Sequence, residues 1–95
     1  MQFWVYIVRC VDGAYYIGHT DNLERRIAAH QSGEIRGYTS ARLPIELMYA
    51  EEFVTRIEAL EHERKIKGWG RKKKEALIRR DWSEISRLAK KRIVP

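Results

Sequence analysis

Five side chains of this 95-residue sequence could act together on a phosphodiester: Tyr6, Tyr16, Arg26, His30 and Glu63. A carboxylate such as Glu63 can hold one hard divalent cation, Mg²⁺ or Mn²⁺, with water filling most of the coordination sphere. A single carboxylate argues for one ion rather than two. A guanidinium such as Arg26 can grip phosphate oxygens in a fork and offset the charge of a pentacovalent transition state. A phenol could relay a proton from an attacking water, if a cation and Arg26 lower its pKa from about 10. His30 could orient a phenol or serve as a proton relay near neutral pH. Each residue also has a packing reading. Tyr6 and Tyr16 could be half-buried strand aromatics with wet hydroxyls. Arg26 could partner an acid, and His30 could be a satisfied structural histidine. Glu63 could pair with Lys67 at i+4. Together they are harder to explain as packing.

The elements that must gather these groups are legible in the pattern. Phe3 to Cys10 and Tyr15 to His19 are rich in aromatic and β-branched residues and read as strands. Val11-Asp12-Gly13 between them signals a hairpin. A two-residue Asp-Gly turn would put Tyr6 and Tyr16 on opposite faces. A three-residue loop with Gly13 left-handed pairs Cys10 with Ala14 and puts both tyrosines on one face, and Asp12 then needs no positive φ. Asp21 is the expected N-cap of a helix running to about Gln31, with Glu24 completing an approximate capping box. On it Leu23, Arg26, Ile27 and His30 share one stripe, while Glu24 and Arg25 point away. Residues 33–44 form a loop in which Tyr38, Thr39 and Arg42 could reach the same face. Ile45 to Phe53 reads as a third strand. Thr55 caps a helix from Arg56 to about Lys67, with Ala59, Leu60, Glu63 and Ile66 on its inner face. A basic helix spans Arg71 to Arg80, and Asp81 caps a last helix. The expected class is α+β: a three-stranded antiparallel sheet flanked by helices, in the order β-β-α-β-α-α with a further C-terminal helix.

Length allows one small domain. It divides into residues 1–80 and a basic helical extension over 81–95 of the same domain. No apolar run is long enough to span a bilayer, and no signal peptide is evident. A single cysteine, Cys10, excludes an internal disulfide and fits a reducing, cytoplasmic setting. Charge is unevenly placed. Residues 1–63 hold six Arg/Lys against ten Asp/Glu, net −4, and residues 64–95 hold thirteen against three, net +10. The run Arg71, Lys72, Lys73 and Lys74, with Arg79-Arg80 and Lys90-Lys91-Arg92, is a pole that would collect a polyanion, most often nucleic acid. The same run can equally be a solvated helix face.

At these residues the chain resembles the GIY-YIG nuclease superfamily, and most of all its small single-domain bacterial members. Val5-Tyr6, Asp12-Gly13, Tyr16-Ile17-Gly18, Thr20, Leu23-Glu24-Arg25-Arg26 and His30 match the first half of the pattern. Tyr38-Thr39, Glu58-Ala59-Leu60, Glu63 and Ile66-Lys67 match the second. The first triplet is Trp4-Val5-Tyr6, so its glycine is absent, and the only asparagine is Asn22. The resemblance implies Mg²⁺- or Mn²⁺-dependent hydrolysis of DNA, or alternatively RNA, with low sequence specificity. It implies Tyr6 as general base, Tyr16 as the second motif tyrosine, Arg26 as the catalytic arginine and Glu63 as metal ligand. Arg71, Lys72, Lys73, Lys74, Tyr38 and Arg42 are the expected nucleic-acid contacts. The alternatives are a binding module on a nuclease scaffold with little turnover, and an interaction domain docking an acidic protein.

Overall fold

The computed structural model describes residues 2–90. Three strands, β1 (Phe3–Arg9), β2 (Tyr15–Thr20) and β3 (Glu46–Phe53), form an antiparallel sheet in the order β2-β1-β3. Four helices accompany it: α1 (Leu23–Ser32), α2 (Arg56–Lys67), α3 (Arg71–Ile78) and α4 (Trp82–Lys90). The α+β class and the element order are those expected. Lys91 and Arg92 of the terminal basic cluster lie outside the described residues. No helix among the described residues is long and apolar enough to cross a membrane.

The β1–β2 hairpin fixes the phase of everything else. The Gly13 amide donates to the Cys10 carbonyl at 2.9 Å, and the Cys10 amide donates to that of Ala14 at 2.8 Å. Gly13 takes φ +87°, which a side chain would resist. This is the three-residue loop, and it sets Val8 opposite Tyr16 and Tyr6 opposite Gly18. Tyr6 and Tyr16 therefore share a face, with ring centroids 6.4 Å apart.

Strand alternation then yields two cores. Val5, Ile7, Ile17 and Tyr49 pack against Ala59 and Ile66 of α2 and Leu77 of α3. Tyr6 and Val8 join Cys10 and Ile45 on the other face, covered by Leu23 and Ile27 of α1. Ile66 and Leu77 are buried almost completely, and each contributes roughly 1.5–3 kcal/mol relative to exposure.

Helix ends follow side-chain chemistry. The Thr55 side chain accepts from the Glu58 amide, as expected of a cap, and Glu58 reaches back to the Thr55 amide, which completes a capping box. The Asp81 carboxylate accepts from the Glu84 amide at 3.1 Å, as expected of a cap. For α1 the expectation is corrected. Asn22, not Asp21, is the N-cap, and its side chain accepts from the Arg25 amide at 3.1 Å. Thr20 Oγ1 accepts from the Asn22 amide at 3.1 Å and selects between these two adjacent cap-forming residues. The α3 helix ends at Ile78, two residues early. Arg80 is left-handed at φ +56°, and the Arg80 and Asp81 amides fold back onto the Leu77 and Ala76 carbonyls.

Candidate active site

Tyr6 is the hub of the site. It is fully buried, and its hydroxyl meets His30 Nε2 at 2.9 Å and Arg26 Nε at 3.3 Å. Arg26 Nε can only donate, so the Tyr6 oxygen accepts from it. Either His30 nitrogen can carry the ring proton, and we assign the tautomer that gives every polar hydrogen of this group an acceptor, with the Tyr6 proton on His30 Nε2. His30 then carries its own proton on Nδ1 and donates to Thr39 Oγ1 at 2.9 Å. His30 is buried completely and Thr39 is 2 % exposed. The result is one directed chain: Arg26 to Tyr6 to His30 to Thr39.

Local structure explains why these groups meet. Arg26 and His30 stand one helical turn apart on the inner face of α1. Tyr6 projects from the central strand toward them. Gly18 on the neighbouring strand leaves space for its ring: a Cβ there would sit 2.5 Å from Tyr6 Oη. Tyr16 closes the group, edge-on to His30 at 5.2 Å.

The surroundings tune both ionisable partners. Burial, and secondarily the Arg26 charge, hold the His30 imidazole below its ordinary 6.5, which keeps it neutral at pH 7. The Tyr6 phenol moves upward from 10 because burial outweighs the hydrogen bond and charge of Arg26. Arg26 thus acts in the direction read from the sequence, but its effect is overcome by desolvation. The Tyr6 hydroxyl is a neutral donor in this state, not a phenolate.

Glu63 approaches from the other side of β2. Its residue is 8 % exposed on the inner face of α2, as the periodicity required. One oxygen accepts from His19 Nδ1 at 2.8 Å, and the other pairs with Lys67 Nζ at 3.2 Å. His19 follows Gly18 directly, so carboxylate and phenol flank adjacent residues of the edge strand. No hydrogen bond joins Glu63 to Tyr6, Arg26 or His30, but its charge is among the influences that raise both Tyr6 and Arg26. No cluster of three metal-ligating His, Cys, Asp or Glu residues occurs among the described residues. His19 is a site residue that the sequence reading missed. Its alternation with Gly18 turned it toward α2, which was the available signal.

The expected nucleic-acid contacts separate. Tyr38 is 46 % exposed and stacks on Tyr16, with centroids 6.3 Å apart. The Arg42 guanidinium lies 4.1 Å from the Tyr38 ring centroid. It also donates to Asp12 at 2.9 Å and to the Tyr38 carbonyl at 3.0 Å. Arg71 is tied down: it donates to the Gly13 carbonyl at 2.8 Å, pairs with Glu75 and covers Tyr15. Lys73 sits 4.4 Å over the Trp69 ring and, with Lys72, lines a small hollow beside Leu88. Lys74 lines a different hollow with Tyr16, Tyr38 and Lys67. The run 71–74 is therefore not one continuous strip. Arg25, expected to point away, lines a hollow of about 620 Å³ with Arg26, Thr20 and Glu34.

Comparison with known proteins shows the family of the chain. A family model described as the GIY-YIG catalytic domain matches residues 2–76. A UPF0213 protein of Bacillus pumilus is 44 % identical over 75 residues, 79 % of this chain and 76 % of that protein. A UPF0213 protein of Natronomonas pharaonis is 43 % identical over 75 residues, 79 % of this chain and 88 % of that one. The solution NMR structure of a UPF0213 protein from Bacillus halodurans aligns with TM-score 0.57 at 38 % identity, covering 85 % of this chain and 86 % of that one.

Proposed function

Since the chain belongs to the GIY-YIG catalytic domain family, we propose that it is a divalent-cation-dependent endonuclease that hydrolyses phosphodiester bonds in DNA with low sequence preference. The observation that carries this reading is the directed chain from Arg26 through Tyr6 to a neutral, buried His30. A purely structural tyrosine does not need two polar partners in a closed pocket, one of them charged.

The Arg26–Tyr6 contact is the longest in that chain, at 3.3 Å. Arg26 turns from the phenol to the substrate phosphate, where its fork offsets developing charge. The Tyr6 oxygen is then open to accept a proton from the attacking water. Its own proton passes to His30 Nε2, which is neutral and already aligned. Tyr6 works as a relay, and His30 is where the proton comes to rest. Thr39 holds the imidazole in the tautomer that leaves Nε2 free to accept. Tyr16 shapes the pocket from the strand side.

Glu63 suits one hard cation. It is a single carboxylate with His19 fixing one oxygen, so such an ion would keep mainly water and substrate oxygens around it. Glu63 would hold Mg²⁺ or Mn²⁺ there, and the ion would supply positive charge near the phosphate. The engagement of both Glu63 oxygens favours a second reading, a nucleic-acid-binding module with little turnover.

Incubation with single-stranded, nicked and branched DNA, in Mg²⁺, Mn²⁺ and EDTA, separates the two readings. Cation-dependent cuts that vanish in Arg26→Ala and Glu63→Ala support the enzyme. Binding with a steep salt slope and no cuts supports the module.

A further inference from the structure

Along the outer edge of β2 lies a second hollow, of about 310 Å³, lined by Tyr15, Tyr16, Ile17, Tyr38, Lys67 and Lys74. Three features occur together in it. Its lining holds two lysines and no acid. It holds the Tyr16–Tyr38 stack, whose outer ring is fastened by Arg42 yet remains 46 % exposed. One of its lysines, Lys67, is also the partner of Glu63, with a side chain 56 % exposed on the hollow side of that pair.

Cations beside an exposed aromatic stack match one nucleotide whose base is not paired. A base in a duplex offers no free face for stacking, whereas an unpaired base does. We propose that this hollow is a subsite for an unpaired nucleotide of the substrate, with its base against Tyr38 and Tyr16 and its phosphate held by Lys67 and Lys74. In the free protein Lys67 neutralises the second oxygen of Glu63. A phosphate in the hollow offers Lys67 a competing anion, and the exchange releases that oxygen. Seating the nucleotide and freeing the carboxylate are then one event. The idea rests on the reading of the chain as a nucleic-acid enzyme, and it narrows the substrate to strands with unpaired nucleotides.

The chemistry recognised is a base with its flanking phosphate, common to DNA and RNA. The test is fluorescence anisotropy of labelled single-stranded DNA, single-stranded RNA and duplex DNA of matched length, in EDTA so that nothing is cut. Tyr38→Ala should weaken both single strands about 5- to 150-fold and leave the duplex unchanged. Lys67→Gln and Lys74→Gln should each lower the salt slope by about one, while Lys65→Gln, in a hollow shared with Glu58 and Glu61, should lower neither affinity nor slope for single strands. A DNA-only or RNA-only effect assigns the source of the nucleotide. The exchange has its own readout without turnover: Lys67→Gln, free of nucleic acid, should bind Mn²⁺ more tightly than the unaltered protein. Equal loss for single strands and duplex in Tyr38→Ala, or unchanged slopes in both lysine variants, overturns the subsite. Unchanged or weaker Mn²⁺ binding in Lys67→Gln overturns the exchange. Cleavage measured separately keeps the two failures apart. Strand-selective binding without cutting sinks the endonuclease reading alone, and cutting without strand-selective binding sinks this proposal alone.

Discussion

Gly18→Ala is the smallest change that should break the site. A Cβ at that position would lie 2.5 Å from Tyr6 Oη and 2.7 Å from Tyr6 Cζ, closer than such atoms approach. The ring has nowhere to retreat. It is fully buried, with His30 edge-on at 5.7 Å and Arg26 Nε 3.3 Å from its oxygen. Over-packing of this kind costs about 1–3 kcal/mol. For a domain of this size that is a drop of about 4–8 °C in melting temperature per kcal/mol, so the variant should still fold. Urea unfolding measures the loss, and cleavage should fall with it because the displaced hydroxyl no longer lines up with His30 Nε2. Tyr6→Phe removes the oxygen of the closer contact but leaves His30 Nε2 and Arg26 Nε without that partner, at a cost of about 1–3 kcal/mol. The double variant should lose less than the sum of the two single losses, since part of the clash is gone, with a coupling of about 0.5–3 kcal/mol. A Gly18→Ala protein that melts and cuts like the unaltered one, or two losses that simply add, would refute the claim that Tyr6 occupies the space Gly18 leaves.

Three more outcomes follow from the same geometry. His30 resists protonation when folded but takes a proton near 6.5 when unfolded, so stability should be complete above that pH and fall as pH drops below it. His62, held low mainly by burial, adds in the same direction. Urea midpoints at about pH 7.5 and about pH 5.5 should show the fall, His30→Gln should flatten it, and rising stability on acidification would contradict it. Arg26→Lys keeps the charge and loses the fork, so cleavage should fall about 10²–10³-fold with stability changed by less than about 1 kcal/mol; equal cleavage would remove the fork from the account. Thr39→Val leaves the His30 Nδ1 proton without an acceptor, which should cost about 1–3 kcal/mol in urea and shift the imidazole ¹⁵N resonances toward a tautomer mixture, and unchanged resonances would show that Thr39 does not select the tautomer.

How much of this was legible depended on whether the deciding interaction is local in the chain. The phase of the two tyrosines was readable because one turn sets it, and Gly13 supplies the positive φ. The inner face of α2 was readable from period alone, and its Thr55 cap from residue type. The α1 cap was not, since Asp21 and Asn22 are chemically near-equal and the Thr20 hydroxyl decides between them. His19 was missed because its partner Glu63 lies 44 residues away. The burial that lifts Tyr6 comes from packing of α1 and the 33–44 loop, and no motif reports that. The division of the basic run could have been read: successive helix positions lie about 100° apart, so four cations in a row cannot share one face.

The most direct test of the relay is the single-turnover cleavage rate of one DNA substrate, taken from those the unaltered protein cuts, compared between that protein and Tyr6→Phe. The prediction is cutting by the unaltered protein in Mg²⁺ or Mn²⁺ and none in EDTA, with Tyr6→Phe about 10²–10⁴-fold slower at equal DNA affinity. Equal rates for the two proteins, or no cation-dependent cut on any DNA structure, would contradict it.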